Sequence, residues 1–127
     1  MPTPLEFIER VMPWPGPDSP GYVNLHWTSP RTGNWRGRPF KNAADFIRLS
    51  EKLALQPAVA SGVYFCLTLQ SETGKPFQGA ITAKRSAENA ISVKALWADI
   101  DVGPEKGYPT LGAALTKPHA VGTCVWN

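Results

Sequence analysis

The stretch GYVNLHW, residues 21–27, has the alternation expected of a β-strand. Two sets of side chains alternate along it: Val23, Leu25 and Trp27 in one set, and Tyr22, Asn24 and His26 in the other. Since side chains in a strand point to opposite faces in turn, the pattern predicts a half-buried strand. On this interpretation His26 is an ordinary strand residue rather than a catalytic or ligand-binding one.

A helix is predicted on each side of this strand. Before it, Thr3 and Glu6 have the spacing of a capping box, and Pro13 ends the helix that they begin. After it, Asn42 is placed to cap a second helix that closes at Pro57. Each helix carries apolar side chains at helical spacing, which indicates one face packed on a core.

The rest of the chain is predicted to consist mostly of strands joined by loops. Residues 28–41 contain Gly and Pro at loop-like spacing and predict a loop. Runs with β-propensity predict strands at 63–70, 79–85 and 91–102, and a short helix is predicted from Thr110. The order αβαβββα predicts a single domain, residues 1–127, of the α+β class with a mainly antiparallel sheet and flanking helices.

Composition restricts the class of protein. The chain has 127 residues, of which 43% are hydrophobic and 18% charged, as is typical of a globular domain. The formal net charge of +3 is compatible with a polyanionic partner but does not require one. Cys66 and Cys124 lack metal-ligand spacing, and we expect two reduced thiols in a cytoplasmic protein. We expect neither a secretion signal nor a membrane span.

Two aspartates interrupt the apolar run LWADIDV, residues 96–102. Asp99 and Asp101 would lie on the same face of a strand, about 6.6–6.8 Å apart along the backbone. Two neighbouring carboxylates repel each other and resist burial, and a divalent cation such as Mg²⁺ or Mn²⁺ relieves both effects. The alternative is that both side chains reach solvent at a strand end. The apolar flanks favour the metal site.

Five segments of the chain, one of which contains these two aspartates, are similar to segments of a known protein family. In chain order they are GYVNLHW, GRPF, GVYFCLTLQ, VKALWADIDV and KGYPTLGAAL. Together they resemble the N-terminal half of primase-polymerase domains of the archaeo-eukaryotic primase superfamily, of the kind found in phage, plasmid and integrated-element replication proteins. The resemblance covers roughly residues 20–116. Asp99 and Asp101 match the family's first catalytic motif, and residues 106–108 match the Lys-Gly-Tyr-like loop that comes after it.

The resemblance implies template-directed nucleotidyl transfer in DNA replication. The fold would be an incomplete primase-type catalytic core, and Asp99 and Asp101 would be the catalytic ligands of two Mg²⁺ or Mn²⁺ ions. The implied partners are a single-stranded DNA template, nucleoside triphosphates and a replicative helicase, with the protein itself a monomer.

The sequence also departs from the family pattern. Members continue with a strand bearing a small residue and a triphosphate-binding His, and then with a third motif that supplies another acid. Neither is found here, so we expect a fragment of such a domain that is inactive on its own. One alternative is a non-catalytic nucleic-acid-binding module that keeps the front half of the fold. Another is an unrelated Mn²⁺-dependent enzyme acting on nucleotide-sugars.

Basic residues near aromatic ones are the candidate nucleic-acid contacts. Arg36 and Arg38 lie in the predicted loop beside Trp35 and Phe40, and this mixture can track a phosphate backbone and stack on unpaired bases. Further candidates for contacts with the nucleotide or the nucleic acid are Arg85, Lys94 and Lys106. For each of these residues a solvated surface position is the alternative, and Trp35 and Phe40 could instead pack back onto the domain.

Overall fold

The computed structural model describes residues 2–96, 104–105 and 112. The chain divides into two compact units, Met1–Lys94 and Ala95–Asn127. Among the described residues, the first unit contains two α-helices and five β-strands.

The first unit is built around a three-stranded antiparallel sheet. Its strands are β1 (Val23–Thr28), β2 (Trp35–Phe40) and β3 (Gly62–Phe65), in the order β2-β1-β3. In the register, His26 of β1 lies opposite Gly37 on one side and Tyr64 on the other. The strand predicted from GYVNLHW is therefore confirmed, and it occupies the centre of the sheet.

Two helices pack against each other, and the second of them also contacts β2 and β3 of this sheet. They are α1 (Pro4–Val11) and α2 (Ala43–Ala54), and their N-caps are Thr3 and Asn42. Both caps were predicted, and the Thr3–Glu6 capping box is complete. The core between the helices and the sheet contains these buried side chains: Ile8, Val11, Met12, Val23, Leu25, Ala43, Phe46 and Leu53.

The opposite face of β1 is also covered, so the prediction of a half-buried strand is wrong. Asn24 is 0% exposed and His26 is 6% exposed. Alternation places both on the face opposite Val23 and Leu25. The covering chain comes from the segment after β3, whose Lys84 carbonyl oxygen accepts a 2.9 Å hydrogen bond from Nδ2 of Asn24.

The predicted loop at 28–41 is wrong in its second half, where β2 forms. Gly33, at φ +68°, lies in the turn between β1 and β2, and the amide of Ser29 donates to the carbonyl of Asn34. β2 is rich in charge and contains Pro39, which disfavours a central strand but is tolerated at an edge. The pairing with β1 therefore overrides the local signal for a loop.

The other predicted strands are shorter than expected. The run 63–70 forms β3 and a separate strand β4 (Leu69–Gln70), which belong to different sheets. β4 pairs with β5 (Ala90–Ser92), which shares only its last two residues with the predicted strand 91–102. Residues 93–96 are not in a strand, and the remainder of that prediction lies outside the described residues.

The prediction of a strand at 79–85 is also wrong, because a hairpin occupies residues 73–83. Its arms are joined by bridges between Thr73 and Ala83 and between Phe77 and Ala80. The turn residue Gln78 has φ +50° and its neighbour Gly79 has φ +76°, as in a type I′ turn.

The described part of the first unit is thus an α+β structure with antiparallel sheets and two helices. Neither helix is long and apolar enough to cross a membrane.

We predict that Gln78→Gly stabilises the protein by roughly 0.5–1 kcal/mol, because glycine adopts a positive φ without the steric strain that Gln78 bears. Gln78 is exposed, so little packing is lost. Urea unfolding measures the change, and Gln78→Ala is the matched control because alanine retains the strain. An equal gain from alanine would contradict the role of backbone strain.

Candidate functional site

A groove of about 890 Å³ runs between β2 and the hairpin 73–83. We call it the β2 groove. Its lining includes residues from the end of β1, from β2, from the segment after α2, and from the hairpin with the two residues after it: His26, Trp27, Ser29, Trp35, Arg36, Gly37, Arg38, Ala58, Val59, Gly74, Lys75, Phe77, Gln78, Ala80, Ile81, Thr82, Ala83, Lys84 and Arg85. The groove therefore joins segments that are far apart in the sequence.

The charge of the β2 groove has a single sign. Its lining holds five cationic side chains, Arg36, Arg38, Lys75, Lys84 and Arg85, and no acidic one. The nearby Glu72 lies 3.4 Å from Nζ of Lys84, but both side chains are well exposed, so water screens this pair. The groove thus carries a concentrated positive charge in a protein whose formal net charge is only +3.

Aromatic rings lie among these cations. Trp35 is 52% exposed and its ring centroid lies 5.2 Å from that of Tyr64, which lies on the same face of the sheet in β3. The guanidinium of Arg85 lies 5.0 Å from the Trp35 ring, and that of Arg36 lies 4.6 Å from the Phe77 ring. Cation–π attraction holds these arginines beside flat apolar surfaces. The groove therefore offers both stacking surfaces and cations.

Gly37 allows the hairpin to approach β2 closely. The backbone amide of Ala83 donates a 3.2 Å hydrogen bond to the carbonyl of Gly37. A Cβ at position 37 would lie 2.6 Å from Nδ1 of His26 and 3.1 Å from Cβ of Ala83. The absence of a side chain at Gly37 thus lets the hairpin and the His26 ring meet at the same point of the strand.

Asn89 fixes the base of the hairpin. Its Nδ2 donates to Oε1 of Gln70 and to the carbonyl oxygens of Glu72 and Lys84, at 3.0–3.1 Å. Its Oδ1 accepts from Oγ of Ser71 and from the amide of Glu72. Asn89 is 4% exposed, so these bonds form where water does not compete. One buried side chain therefore holds both ends of the segment that forms one wall of the groove.

His26 lies at the inner side of the groove. Burial lowers the pKa of its imidazole, the positive charge of Arg85 lowers it further, and a hydrogen bond with the backbone of Arg36 opposes this by raising it. Its Nε2 is buried and has no hydrogen-bond partner among the described residues. These effects together favour the neutral form of the His26 imidazole.

The structure brings together three of the basic residues predicted as nucleic-acid contacts, namely Arg36, Arg38 and Arg85. Lys94 is not in the groove lining, and its Nζ lies 3.5 Å from the carbonyl oxygen of Glu9. The predicted metal ligands Asp99 and Asp101 and the predicted contact Lys106 lie outside the described residues.

Of the two aromatic residues beside these arginines, one is exposed and one is packed. Trp35 faces the groove, whereas Phe40 packs edge-on against Phe46 of α2 with ring centroids 5.6 Å apart. The alternative of packing back onto the domain therefore holds for Phe40 and not for Trp35. Sequence reasoning did not identify Lys75 and Phe77 as site residues, and it assigned His26 no role in a site.

A second cleft, of about 570 Å³, lies between β2 and α2. Its charged lining residues are Lys41, Asp45, Arg48 and Lys52, and Arg48 forms an ion pair with Asp45 at 3.1 Å. The ammonium of Lys41 lies over the Tyr22 ring and donates to the carbonyl of Ser19. Because its charges are mixed and partly paired, this cleft is a weaker candidate than the β2 groove.

Within the described residues, no group of three or more His, Cys, Asp or Glu side chains could hold a metal ion. Comparisons with protein-family models, with curated proteins and with solved structures find no match for this chain.

We predict that Asn89→Ala destabilises the protein by about 2–3 kcal/mol, because the removal of this side chain leaves several buried polar groups without partners. Urea unfolding monitored by tryptophan fluorescence measures the loss. Asn34→Ala is the control, because Asn34 is exposed, and we expect a change within about 0.5 kcal/mol. Equal effects of the two substitutions would show that the Asn89 hydrogen bonds do not hold the hairpin.

Proposed function

We propose that this chain is a cytoplasmic protein that binds single-stranded nucleic acid in the β2 groove. The observation that supports the proposal is the lining itself: five cations, no acidic side chain, and the exposed ring of Trp35 among them. Cations of this density attract a polyanion, and each phosphate that they neutralise releases bound counterions.

The aromatic residues favour an unpaired strand over a duplex. In a duplex the flat faces of the bases are stacked on one another, whereas in a single strand they are free to stack on protein rings. Trp35 and Phe77 offer such rings beside Arg85 and Arg36, which can move to phosphates while their neighbours take bases. Grooves of this type bind with little sequence preference and with a strong dependence on salt.

We predict that a fluorescein-labelled single strand of 15 nucleotides binds the protein in an anisotropy titration. Contacts with three to five phosphates give a slope of about −2 to −3.5 in a plot of log affinity against log salt concentration. Trp35→Ala should weaken binding by roughly 5- to 150-fold, since stacking is worth about 1–3 kcal/mol per base. Trp35→Phe should retain most of the affinity.

Matched charge variants complete this test. Arg36→Ala removes a groove cation and should reduce the salt slope by about 0.7, whereas Arg10→Ala removes an exposed cation on α1, away from the groove lining, and should leave it unchanged. Equal losses from Arg36→Ala and Arg10→Ala, or tighter binding of duplex than of single strand, would contradict the proposal.

A second function rests on a different feature, the resemblance of residues 93–102 and 106–108 to the first motif of primase-polymerases and the loop after it. In this proposal the protein binds a template strand, and Asp99 and Asp101 bind Mg²⁺ or Mn²⁺ with the triphosphate of a nucleotide. The bound metal would supply charge neutralisation during nucleotidyl transfer. A replicative helicase would be the natural partner of such a domain, and Lys106 would approach the nucleotide phosphates.

Nucleotide binding separates the two proposals. If Asp99 and Asp101 form a metal site, calorimetry should detect binding of dATP in the presence of Mn²⁺ but not of EDTA, and Asp99→Ala should abolish it. Glu88→Ala is the control, as an exposed acid outside the motif. We expect no primer extension by this chain alone. Binding of single strands that is unaffected by EDTA, with no Mn²⁺-dependent binding of dATP, would leave the non-catalytic binding module as the function.

A further inference from the structure

Two exposed aromatic rings lie side by side on one face of the three-stranded sheet. Trp35 of β2 and Tyr64 of β3 have ring centroids 5.2 Å apart, and their planes are inclined by 51°. The two residues are 52% and 49% exposed. We call them the aromatic pair. Trp35 lines the β2 groove and Tyr64 does not, so the exposed aromatic surface continues from the groove across β1 to β3.

The register of the strands explains why the two rings meet. Trp35 lies opposite Thr28 of β1, and Thr28 lies opposite Gly62 of β3. Side chains directly opposite each other share a face of the sheet, and so do side chains two positions apart on one strand. Trp35 and Tyr64 are therefore on the same face, with Tyr64 two positions further along β3 than the residue in register with Trp35.

Gly62 lets the Tyr64 ring lie back along β3 toward Trp35. A Cβ at position 62 would lie 2.5 Å from Oη of Tyr64 and 2.8 Å from its Cζ. A side chain at this position would therefore push the ring away. The phenol ring occupies the space that the glycine leaves open, and this brings it level with Trp35.

The charges beside the aromatic pair indicate its occupant. The guanidinium of Arg85 lies 5.0 Å from the Trp35 ring, and the groove lining to which Trp35 belongs holds five cations and no acidic side chain. A ligand on these rings therefore lies next to a concentrated positive charge, which attracts a polyanion. Proline-rich peptides also dock on aromatic surfaces, but they carry no phosphates for the cations to bind. A nucleic acid uses both the rings and the cations.

The angle between the rings favours two neighbouring bases of an unpaired strand. Bases stacked flat on the two rings would themselves be inclined by about 51°. In a duplex, successive bases are stacked on one another about 3.4 Å apart, so they cannot take up this inclination. An unpaired strand has the freedom to separate its bases and place each on a protein ring.

We propose that Tyr64 is a second base-stacking residue, so that two neighbouring bases of a single strand lie on Trp35 and Tyr64 and the binding surface extends from the β2 groove to β3. The inference rests on the proposed binding of single strands. Arg85 is exposed and lies beside the Trp35 ring, where it can contact the phosphate that joins the two bases. Gly62 acts as a positioning residue for the Tyr64 ring.

The test measures the affinity of the fluorescein-labelled strand of 15 nucleotides by anisotropy. Tyr64→Ala should weaken binding at least about fivefold, the lower end of what one stacked base contributes. The salt slope should not change, because this substitution removes no cation. Tyr64→Phe should retain most of the affinity, since stacking requires the ring and not the hydroxyl. Circular dichroism establishes that each variant is folded.

Ile91→Ala is the matched control for Tyr64→Ala. Ile91 lies on β5, is 50% exposed and is not part of the groove lining, so its replacement should leave the affinity unchanged. A further variant separates stacking on Tyr64 from an indirect effect through Trp35. In protein that already carries Trp35→Ala, Tyr64→Ala should weaken binding again, because the second base still lies on the Tyr64 ring.

The outcomes separate this inference from the proposed function. Unchanged affinity in Tyr64→Ala, or no further loss in protein that carries Trp35→Ala, would overturn the role of Tyr64 and leave the proposed function intact. Failure of the unaltered protein to bind the strand would overturn both. A labelled proline-rich peptide that binds more tightly than the strand, and is lost in Tyr64→Ala, would assign the aromatic pair to a peptide and refute the inference. A loss in both backgrounds with an unchanged salt slope would establish the contact.

Discussion

Two hydrogen bonds converge on the carbonyl oxygen of Lys84. They hold the three-stranded sheet and the sheet of β4 and β5 together. Nδ2 of Asn24 donates to this oxygen from the central strand, and Nδ2 of Asn89 donates to it from the start of the second sheet. Asn24 is 60 residues away from Lys84 in the sequence, so the contact closes a long loop of chain. The hairpin, the covered face of β1 and the wall of the β2 groove all depend on this junction.

Local signals determined how much of the fold could be predicted. The helices were predicted with their caps, because Thr3 with Glu6 and Asn42 with Asp45 act within four residues. β1 was predicted from its alternation. β2 was not predicted, because its charged side chains and Pro39 are typical of a loop. The pairing with β1, which makes this segment a strand, is not a local signal. The turn at Gln78-Gly79 was missed because glutamine rarely adopts a positive φ. Gly79, between Phe77 and Ala80, was the one local signal that could have indicated this turn.

The candidate site was predictable in its chemistry but not in its assembly. The mixture of arginines with Trp35 along the sequence already indicated nucleic acid. Nothing local indicates that Arg85 would lie on the Trp35 ring, 50 positions earlier in the chain, or that Lys75 and Phe77 would join the same groove. His26 was assigned no role in a site because alternation alone predicts a solvent-facing polar side chain. Its burial results from the non-local junction at Lys84, which no sequence pattern encodes.

Pro39 has a consequence for how the sheet meets other chains. The carbonyl of Gly37 points away from β1 toward the hairpin, so by alternation the backbone nitrogen of Pro39 also faces away from β1 along this margin of β2. A proline nitrogen carries no hydrogen, and the neighbouring Arg38 adds charge. An extended segment of another molecule would therefore find no donor at this position and a repulsive charge beside it. This edge of the sheet is thus protected against growth by strand addition, the route by which open β-edges begin to aggregate.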